Sequence, residues 1–126
     1  MYKIGVDMTT ISRIEKSLDK PNFAKYVYTK NELREFYNIS KPKFSSLRAN
    51  FAAKEALSKA LGTGIRNFEL NEVEVLRDEL GCPYFNFYGK AAEIMLKYNA
   101  QVSLSHENDT AIAMVILEKK LNIINL

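Results

Sequence analysis

The chain has 126 residues and a formal net charge of +3, with 47% hydrophobic and 26% charged residues. This is the length of one domain and the composition of an ordinary globular protein, so disorder over most of the chain is excluded. The single cysteine, Cys82, excludes an intrachain disulfide and a four-cysteine zinc site, and the single histidine, His106, excludes a multi-histidine metal site. A domain this small buries a limited share of its surface, so we expect it to oligomerise.

The charge and hydropathy patterns restrict the possible partners. A mildly basic protein suits an anionic ligand or an acidic partner. Its lysines are scattered, without the basic stripe and interleaved aromatic residues of a nucleic-acid-binding protein. The N-terminus lacks the apolar core of a signal peptide, and the longest apolar run, residues 111–117, is too short to span a bilayer. We therefore expect a cytoplasmic protein that binds neither nucleic acid nor membrane.

The first secondary-structure element is a short buried strand, predicted over residues 2–7. Thr9 or Thr10 could then cap a helix, because a hydroxyl oxygen accepts a hydrogen bond from an unpaired backbone N–H group. The face of this helix that turns inward would carry Ile11, Ile14 and Leu18.

Capping signals define two further helices. Thr29 and Glu32 form the T-x-x-E pattern of a capping box, which predicts a helix over 30–38 with Leu33, Phe36 and Tyr37 as its apolar residues. Residues 38–46 predict a loop. Residues 45–61 are rich in good helix formers, and the glycines that follow predict the end of this long helix.

The second half of the chain predicts a mixture of strands, one helix and tight turns. A turn at Asn108–Asp109 joins the last two strands. In chain order the predicted elements are a half-buried strand at 72–77, a turn at 78–83, a strand at 84–88, a helix at 90–98 with Ala91, Ile94, Met95 and Tyr98 inward, and strands at 101–106 and 110–118. The fold class is α+β, with residues 1–126 forming one domain in which a largely antiparallel sheet packs on the long central helix.

Two carboxylates are candidates for a metal site. Asp7 ends an apolar strand just before a helix, where a carboxylate can hold a divalent cation; the simpler interpretation is that it caps the helix. Glu55 lies four residues before Lys59, and the simpler interpretation is a surface salt bridge between them. Magnesium prefers few carboxylates, several waters and substrate phosphates, so Asp7 and Glu55 could hold Mg²⁺ against a diphosphate.

Residues around Glu55 add a possible phosphate site. Lys54 and Lys59 could neutralise phosphate charge, although Lys54 could equally be a solvated lysine. The helix also carries alanines on most sides, and small side chains allow a neighbouring backbone or a ligand to approach closely. His106 is a candidate for function, with a packed or surface histidine as the alternative, and Cys82 is interpreted as incidental. The alanines are Ala49, Ala52, Ala53, Ala56 and Ala60.

Five ordered blocks resemble the holo-acyl-carrier-protein synthases, the small group of 4′-phosphopantetheinyl transferases, and this similarity runs almost end to end. The most specific block is FAAKEALSKALGTGI at 51–65. The others are IGVDMTTISRI at 4–14, YTKNEL at 28–33, the DELGCP turn at 78–83, and VSLSHE with AIAMVILEK at 102–119.

The resemblance implies a Mg²⁺-dependent enzyme that transfers phosphopantetheine from coenzyme A to a serine of an acidic acyl carrier protein in fatty acid biosynthesis. It implies a homotrimer with active sites between subunits, catalytic roles for Asp7, Glu55 and Lys59, and magnesium ligation by Asp7 and Glu55. Arg13 and Lys16 would meet the carrier protein. The residues that match positions near coenzyme A are Lys54, Ser58, Gly62, Gly64, Pro83, Ser105 and His106.

The chain departs from the family pattern before FAAKEA, where Asn50 replaces an arginine that is linked to phosphate binding. Lys41, Lys43 and Arg48 are the candidates to replace it. The first helix is also less basic than in many relatives. A non-catalytic protein that binds coenzyme A or a carrier protein is the alternative function, and the presence of both carboxylates distinguishes the enzyme from it.

Overall fold

The computed structural model describes residues 1–20, 22–37, 40, 42–64 and 67–121, with the side chain of Ile11 outside the described part. Four helices precede a mixed C-terminal half. In chain order the elements are β1 (Tyr2–Thr10), α1 (Ile11–Leu18), α2 (Phe23–Val27), α3 (Lys30–Phe36), α4 (Phe44–Leu61), a 3-10 turn (Leu70–Glu72), β2 (Val73–Arg77), β3 (Pro83–Phe87), α5 (Gly89–Met95), β4 (Tyr98–Glu107) and β5 (Thr110–Lys119).

The strands form two antiparallel sheets. The larger has the order β1-β5-β4, and β2 and β3 form a separate hairpin. The long helix α4 lies on the larger sheet, where its alanines pack with Val115 and Leu117, and it also contacts Val73 and Val75 of the hairpin. A second apolar cluster joins α1, α2 and α3 to the first turns of α4; it consists of Ile14, Leu18, Val27, Tyr28, Phe36 and Leu47. The expected α+β domain with an antiparallel sheet on a central helix is confirmed.

Strand β1 approaches α4 unusually closely at Gly5. A Cβ atom built on Gly5 would lie 1.9 Å from the carbonyl oxygen of Ala56 and 2.6 Å from the backbone nitrogen of Ala60. Backbone atoms cannot move aside as a flexible side chain can, so this contact requires both a glycine on the strand and small residues on the helix. The alanines therefore admit a neighbouring backbone, one of the two possibilities that the sequence raised.

Several predicted elements are confirmed with small shifts of their bounds. Thr29 and Glu32 form the reciprocal capping box of α3. Gly62 ends α4 in the left-handed conformation, with φ of 80°. The predicted turn at Asn108–Asp109 joins β4 and β5, with Asn108 at φ of 52°. Residues 38, 39 and 41 of the predicted loop lie outside the described residues, and α4 begins at Phe44 within that loop.

The prediction that the first strand is buried is wrong. Only one face of the larger sheet is covered by α4, and side chains alternate between the two faces of a strand. Alternate apolar side chains of β1 therefore face outward on the single chain. These are Tyr2 at 65%, Ile4 at 65%, Val6 at 53% and Met8 at 68% exposure.

Two other local predictions differ from the structure, and one short helix was not predicted. Val73, Glu74 and Val75 are all buried, so β2 does not alternate as a half-buried strand would. The predicted helix at 90–98 ends at Met95, and Tyr98 begins β4. The short helix α2 was not predicted; Asn22 is its N-cap residue, but the Asn22 side chain makes no capping hydrogen bond.

The predicted hydroxyl cap of the first helix is also wrong. Thr10 is the N-cap residue, but its side chain accepts no capping hydrogen bond. None of the described helices is both long enough and apolar enough to cross a membrane.

Candidate active site

Asp7 lies at the meeting point of β1 and α4. It is two residues from Gly5 on the same strand, so both residues face the helix. The Lys59 Nζ atom donates to Asp7 Oδ1 at 3.0 Å, and the Asp7 side chain is 15% exposed against 57% for Lys59. Asp7 is inside the strand, three residues before Thr10, so the interpretation that it caps the helix is wrong.

Glu55 lies one helical turn before Lys59 and is half-buried. Burial raises the pKa of the Glu55 carboxyl, and the negative charge of Asp7 raises it further, while Lys59 and Arg13 oppose the shift. The two carboxylates are thus near enough to repel each other. The ion pair of Lys59 forms with Asp7 and not with Glu55, which corrects the salt bridge that the spacing suggested.

The donor set fits magnesium better than a metal that takes many protein ligands. Among the described residues no group of three or more His, Cys, Asp or Glu side chains is placed to hold a metal ion. Two partly exposed carboxylates leave most of a coordination shell open. Mg²⁺ is typically bound in this way, through one or two carboxylates, waters and substrate phosphates.

The first helix brings cations beside these carboxylates. Arg13 is exposed in the first turn of α1, and its charge acts on Glu55. Lys16 is exposed in the last turn of the same helix. The first turn is held from elsewhere in the chain, since the backbone N–H and the hydroxyl of Ser12 both donate to the Asp109 carboxylate at 3.3 Å.

Lys54 and Ser58 are on α4 but do not reach this surface. Lys54 is fully buried, and its Nζ atom donates to Glu32 Oε1 at 2.6 Å and to the Val27 carbonyl. Burial lowers the pKa of Lys54, against the opposing charge of Glu32. The Ser58 hydroxyl is buried and donates to the Lys54 carbonyl. The alternative of a solvated Lys54 is therefore wrong. In the single chain neither the Lys54 nor the Ser58 side chain is accessible to a ligand.

Glu32 organises a buried polar network that the sequence did not reveal beyond the capping box. Its two oxygens accept from Lys54, from the Asn50 amide at 2.8 Å, and from the backbone N–H groups of Thr29 and Val75 at 3.0 and 3.2 Å. Burying a carboxylate is costly unless it is paired and hydrogen-bonded, and these donors provide both an ion pair and hydrogen bonds. Glu32 thereby ties α3, α4 and β2 together behind the carboxylate site.

Asn50, the departure from the family pattern, belongs to the same network. Its Oδ1 atom accepts from Arg77 Nη2 at 2.9 Å, and its amide donates to Glu32 and to the Val75 carbonyl. Of the residues considered as replacements for the missing arginine, Arg48 is 1% exposed, Lys43 is exposed, and Lys41 lies outside the described residues.

The remaining predicted residues are spread over the surface. Gly62 and Gly64 line an open depression with Thr63 and Asn67 at the end of α4. Pro83 begins β3 and pairs with Arg77.

Ser105 and His106 are both exposed near the end of β4 but belong to opposite faces. Ser105 pairs with Ile112, on the outward face of the sheet, whereas His106 pairs with Ala111, on the face toward α4. Asp7 is on the α4 face, opposite Ala113. One chain alone therefore does not gather all the predicted coenzyme residues around Asp7 and Glu55.

Comparison with known proteins identifies the family. Residues 3–115 match the model of the 4′-phosphopantetheinyl transferase superfamily. The chain is 44% identical to a holo-(acyl-carrier-protein) synthase of Clostridium botulinum (strain Eklund 17B / Type B) over 118 residues, covering 91% of this chain and 95% of the relative. It is 40% identical to the protein of that name from Fusobacterium nucleatum, covering 90% and 96%.

Solved structures agree with this assignment. A holo-(acyl-carrier-protein) synthase from Bacillus anthracis in complex with CoA (3′,5′-ADP) matches with a TM-score of 0.76 and 32% identity over 94% of this chain and 96% of that one. The enzyme from Neisseria meningitidis matches with a TM-score of 0.78 and 37% identity over 93% and 98%. The chain is therefore an enzyme of the 4′-phosphopantetheinyl transferase superfamily and belongs to its holo-(acyl-carrier-protein) synthase family.

Proposed function

We propose that this enzyme requires Mg²⁺ to transfer 4′-phosphopantetheine from coenzyme A to a serine of an apo acyl carrier protein, with release of adenosine 3′,5′-bisphosphate. The observation that carries the magnesium requirement is the arrangement of Asp7, Glu55 and Lys59 at the contact between β1 and α4. Two mutually repelling carboxylates beside an exposed ammonium form a site that favours a divalent cation and a diphosphate together.

Asp7, Glu55 and Lys59 would together hold the diphosphate of coenzyme A. Asp7 and Glu55 would ligate Mg²⁺, which supplies positive charge to the diphosphate when it is bound. The Lys59 side chain is more than half exposed, so its ammonium can leave Asp7 and donate to a phosphate oxygen. Lys59 would then stabilise the negative charge that builds up on the diphosphate as the bond to the leaving group breaks.

Glu55 is our candidate for the general base. The carrier serine oxygen attacks the phosphorus on the pantetheine side, the bond to the bisphosphate oxygen breaks, and the serine proton must be accepted. Glu55 is half-buried beside Asp7, so its carboxylate, or a water molecule that it activates, would be placed to accept this proton. Positioning and electrostatic stabilisation would supply the rest of the catalysis, as in other phosphoryl transfers.

The carrier protein would dock on α1. Arg13 and Lys16 are exposed on this helix, and Arg13 is near enough to Glu55 for its charge to act on that carboxylate. An acidic carrier bound to these cations would therefore be held next to the reacting groups. Charge complementarity of this kind mainly speeds association and fixes the orientation of the complex.

The active form would be a homotrimer with sites between subunits. The outward face of the larger sheet exposes a contiguous set of apolar side chains, and a patch of this kind marks an interaction surface. Its members are Tyr2, Ile4, Val6 and Met8 of β1 with Ile112 and Met114 of β5.

This arrangement would also account for the scattered coenzyme residues. Ser105 lies beside Ile112 on the outward face of the sheet. It would therefore contribute to an active site formed together with a neighbouring subunit. Gly62, Gly64, Pro83 and His106 remain proposed coenzyme contacts. We omit Lys54 and Ser58 from this set because their buried side chains already bond within the chain.

We propose fatty acid biosynthesis in the cytoplasm as the setting. The carrier named in the relatives' names is an acyl carrier protein. The only cysteine, Cys82, is free and exposed, which fits a reducing compartment.

Titration calorimetry tests the magnesium bridge directly. We expect coenzyme A to bind wild type with Mg²⁺ at least about tenfold more tightly than with chelator, because a lost charge-assisted contact is typically worth 1.5–3 kcal/mol. Asp7→Asn should abolish this difference, while Glu93→Gln, at an exposed carboxylate on α5, should retain it. Equal affinity with metal and with chelator in wild type would overturn the proposed magnesium role.

A further inference from the structure

The start of α1 is capped by a residue from the far end of the chain. The Asp109 carboxylate accepts from the backbone N–H of Ser12 through Oδ1 and from the Ser12 hydroxyl through Oδ2, both at 3.3 Å. Ser12 is the second residue of the helix, and its N–H is one of the first four that no helical carbonyl can accept. Asp109 therefore performs, across the fold, the role that an N-cap side chain usually performs locally.

The helix has no substitute for this contact in its own sequence. The side chain of Thr10, the N-cap residue, makes no capping bond, and the first turn contains no acidic residue. A carboxylate near a helix N-terminus is favourable because the helix dipole places partial positive charge there. Because α1 has only eight residues, fraying of its first turn would disorder a large share of the helix.

The position of Asp109 is itself fixed by the sheet. It immediately precedes Thr110, which pairs with Thr10 at the end of β1, and Asn108 before it adopts the left-handed turn conformation. The turn thus places the carboxylate beside the point where β1 becomes α1. The same hairpin carries His106 on β4.

A buried cation of α4 adds a long-range attraction for the same turn. Arg48 is 1% exposed, and its Nε and Nη1 atoms have no hydrogen-bond partner among the described residues. The negative charges of Glu15 of α1 and of Asp109 act on this guanidinium. Neither carboxylate forms an ion pair with it in the described part of the chain, so the direct hold on the helix is the contact between Asp109 and Ser12.

We propose that Asp109 is a positioning residue that sets the first turn of α1, and with it Arg13, for docking of the acidic carrier protein. This inference rests on the proposed function, in which Arg13 meets the carrier. Arg13 follows Ser12 directly, so fraying of this turn moves Arg13 relative to Glu55 while Asp7, within β1, keeps its place. Asp109 would therefore affect carrier recognition and leave coenzyme binding intact.

Steady-state kinetics of the full chain test the proposal with Asp109→Ala, Asp109→Asn and, as the matched control, Glu107→Ala. Both alanine variants remove one exposed negative charge from the same hairpin. Charge removal alone should lower the KM for an acidic carrier. Loss of the cap should instead raise the carrier KM about 3- to 10-fold in Asp109→Ala, a change that corresponds to part of the helix stability a lost cap removes, and leave the KM for coenzyme A within about twofold.

Asp109→Asn removes the same charge but keeps an acceptor oxygen at the same position, so its carrier KM should be clearly lower than that of Asp109→Ala. A carrier KM that is unchanged or lowered in Asp109→Ala would overturn the proposal. A carrier KM for Asp109→Asn equal to that of the alanine variant would also overturn it, because the acceptor would then have no role.

Hydrogen exchange provides a readout that does not depend on activity. The amide of Ser12, which donates to Asp109, should exchange about 3- to 10-fold faster in Asp109→Ala than in wild type, while amides of α4 are unaffected. Unchanged exchange at this amide would overturn the proposal even if wild type transferred nothing to any carrier. A wild type without transferase activity but with this exchange pattern would overturn only the proposed function.

Discussion

The Lys59 Nζ atom lies 3.0 Å from Asp7 Oδ1, so a lysine of the central helix neutralises the carboxylate of the first strand. This ammonium stands where we propose that a divalent cation binds. Metal binding would therefore compete with the Lys59–Asp7 ion pair and would release the lysine toward the coenzyme phosphates.

Lys59→Gln should strengthen Mg²⁺ binding in the absence of coenzyme, by about 3- to 5-fold, because an exposed ion pair is worth up to about 1 kcal/mol. The same variant should lose most of its transferase turnover. Calorimetric titration with Mg²⁺ measures the first effect, and Lys59→Arg, which keeps the positive charge, serves as the control. Weaker Mg²⁺ binding in Lys59→Gln would contradict the competition.

Glu55→Gln should stabilise the metal-free protein at neutral pH. The pKa of Glu55 is raised by burial and by Asp7, so the stability that its protonated form contributes is present at low pH and is lost as pH rises through that pKa. Glutamine is neutral at every pH, and partial exposure keeps the gain small, on the order of 2–4 °C in Tm at pH 7.

Thermal unfolding in chelator from pH 4 to pH 8 measures this gain, with Glu93→Gln as a control that should match wild type. The Tm advantage of Glu55→Gln should shrink as the pH falls. A variant that is less stable than wild type at pH 7 would show that the ionised Glu55 is favourably paired, contrary to our account.

The buried pair of Lys54 and Glu32 should be essential to stability. Lys54→Met leaves the Glu32 carboxylate buried without its cation, which typically costs about 3–5 kcal/mol. Chemical denaturation measures the loss of unfolding free energy, and Lys30→Met, at an exposed lysine, should change it little. A loss below about 1 kcal/mol would mean that Asn50 and the backbone donors satisfy Glu32 without the lysine.

Val6→Glu should disrupt self-association without unfolding the subunit. Val6 is 53% exposed on the outward sheet face, so a charge there is tolerated by one chain but not by an apolar interface. Sedimentation velocity should show a trimer for wild type and a smaller species for the variant, and Lys97→Glu is a control outside that face. A wild type that sediments as a monomer at micromolar concentration would remove the trimer from the proposal.

The local sequence predicted those parts of the fold that depend on neighbouring residues. The capping box at Thr29, the glycine stop of α4 and the β4–β5 turn all arise from contacts within a few residues, and each was found. The capping bond of α1 was missed because its acceptor, Asp109, is 97 residues away. Hydrophobic periodicity also predicted the wrong burial pattern for β2, because Glu74 is buried where its carboxylate accepts hydrogen bonds from Thr29 and Asn86, which are distant in sequence.

The prediction of the site rested on the sequence blocks shared with the family and on the preference of carboxylates for magnesium and of lysines for phosphate. Asp7, Glu55 and Lys59 come together as expected, but no pattern indicated that Lys59 pairs with Asp7, because that contact depends on how closely Gly5 lets β1 approach α4. Lys54 was misjudged because a lysine inside a helix is usually exposed, and its buried partner comes from a different helix.

The most direct test of the central claim is the intact mass of an apo acyl carrier protein after incubation with this protein, coenzyme A and Mg²⁺. We predict a mass gain of one phosphopantetheine on the carrier, absent with chelator and absent with Asp7→Ala. A folded protein that binds coenzyme A but modifies none of several acidic carriers would contradict the account and would instead indicate a binding protein built on the same fold.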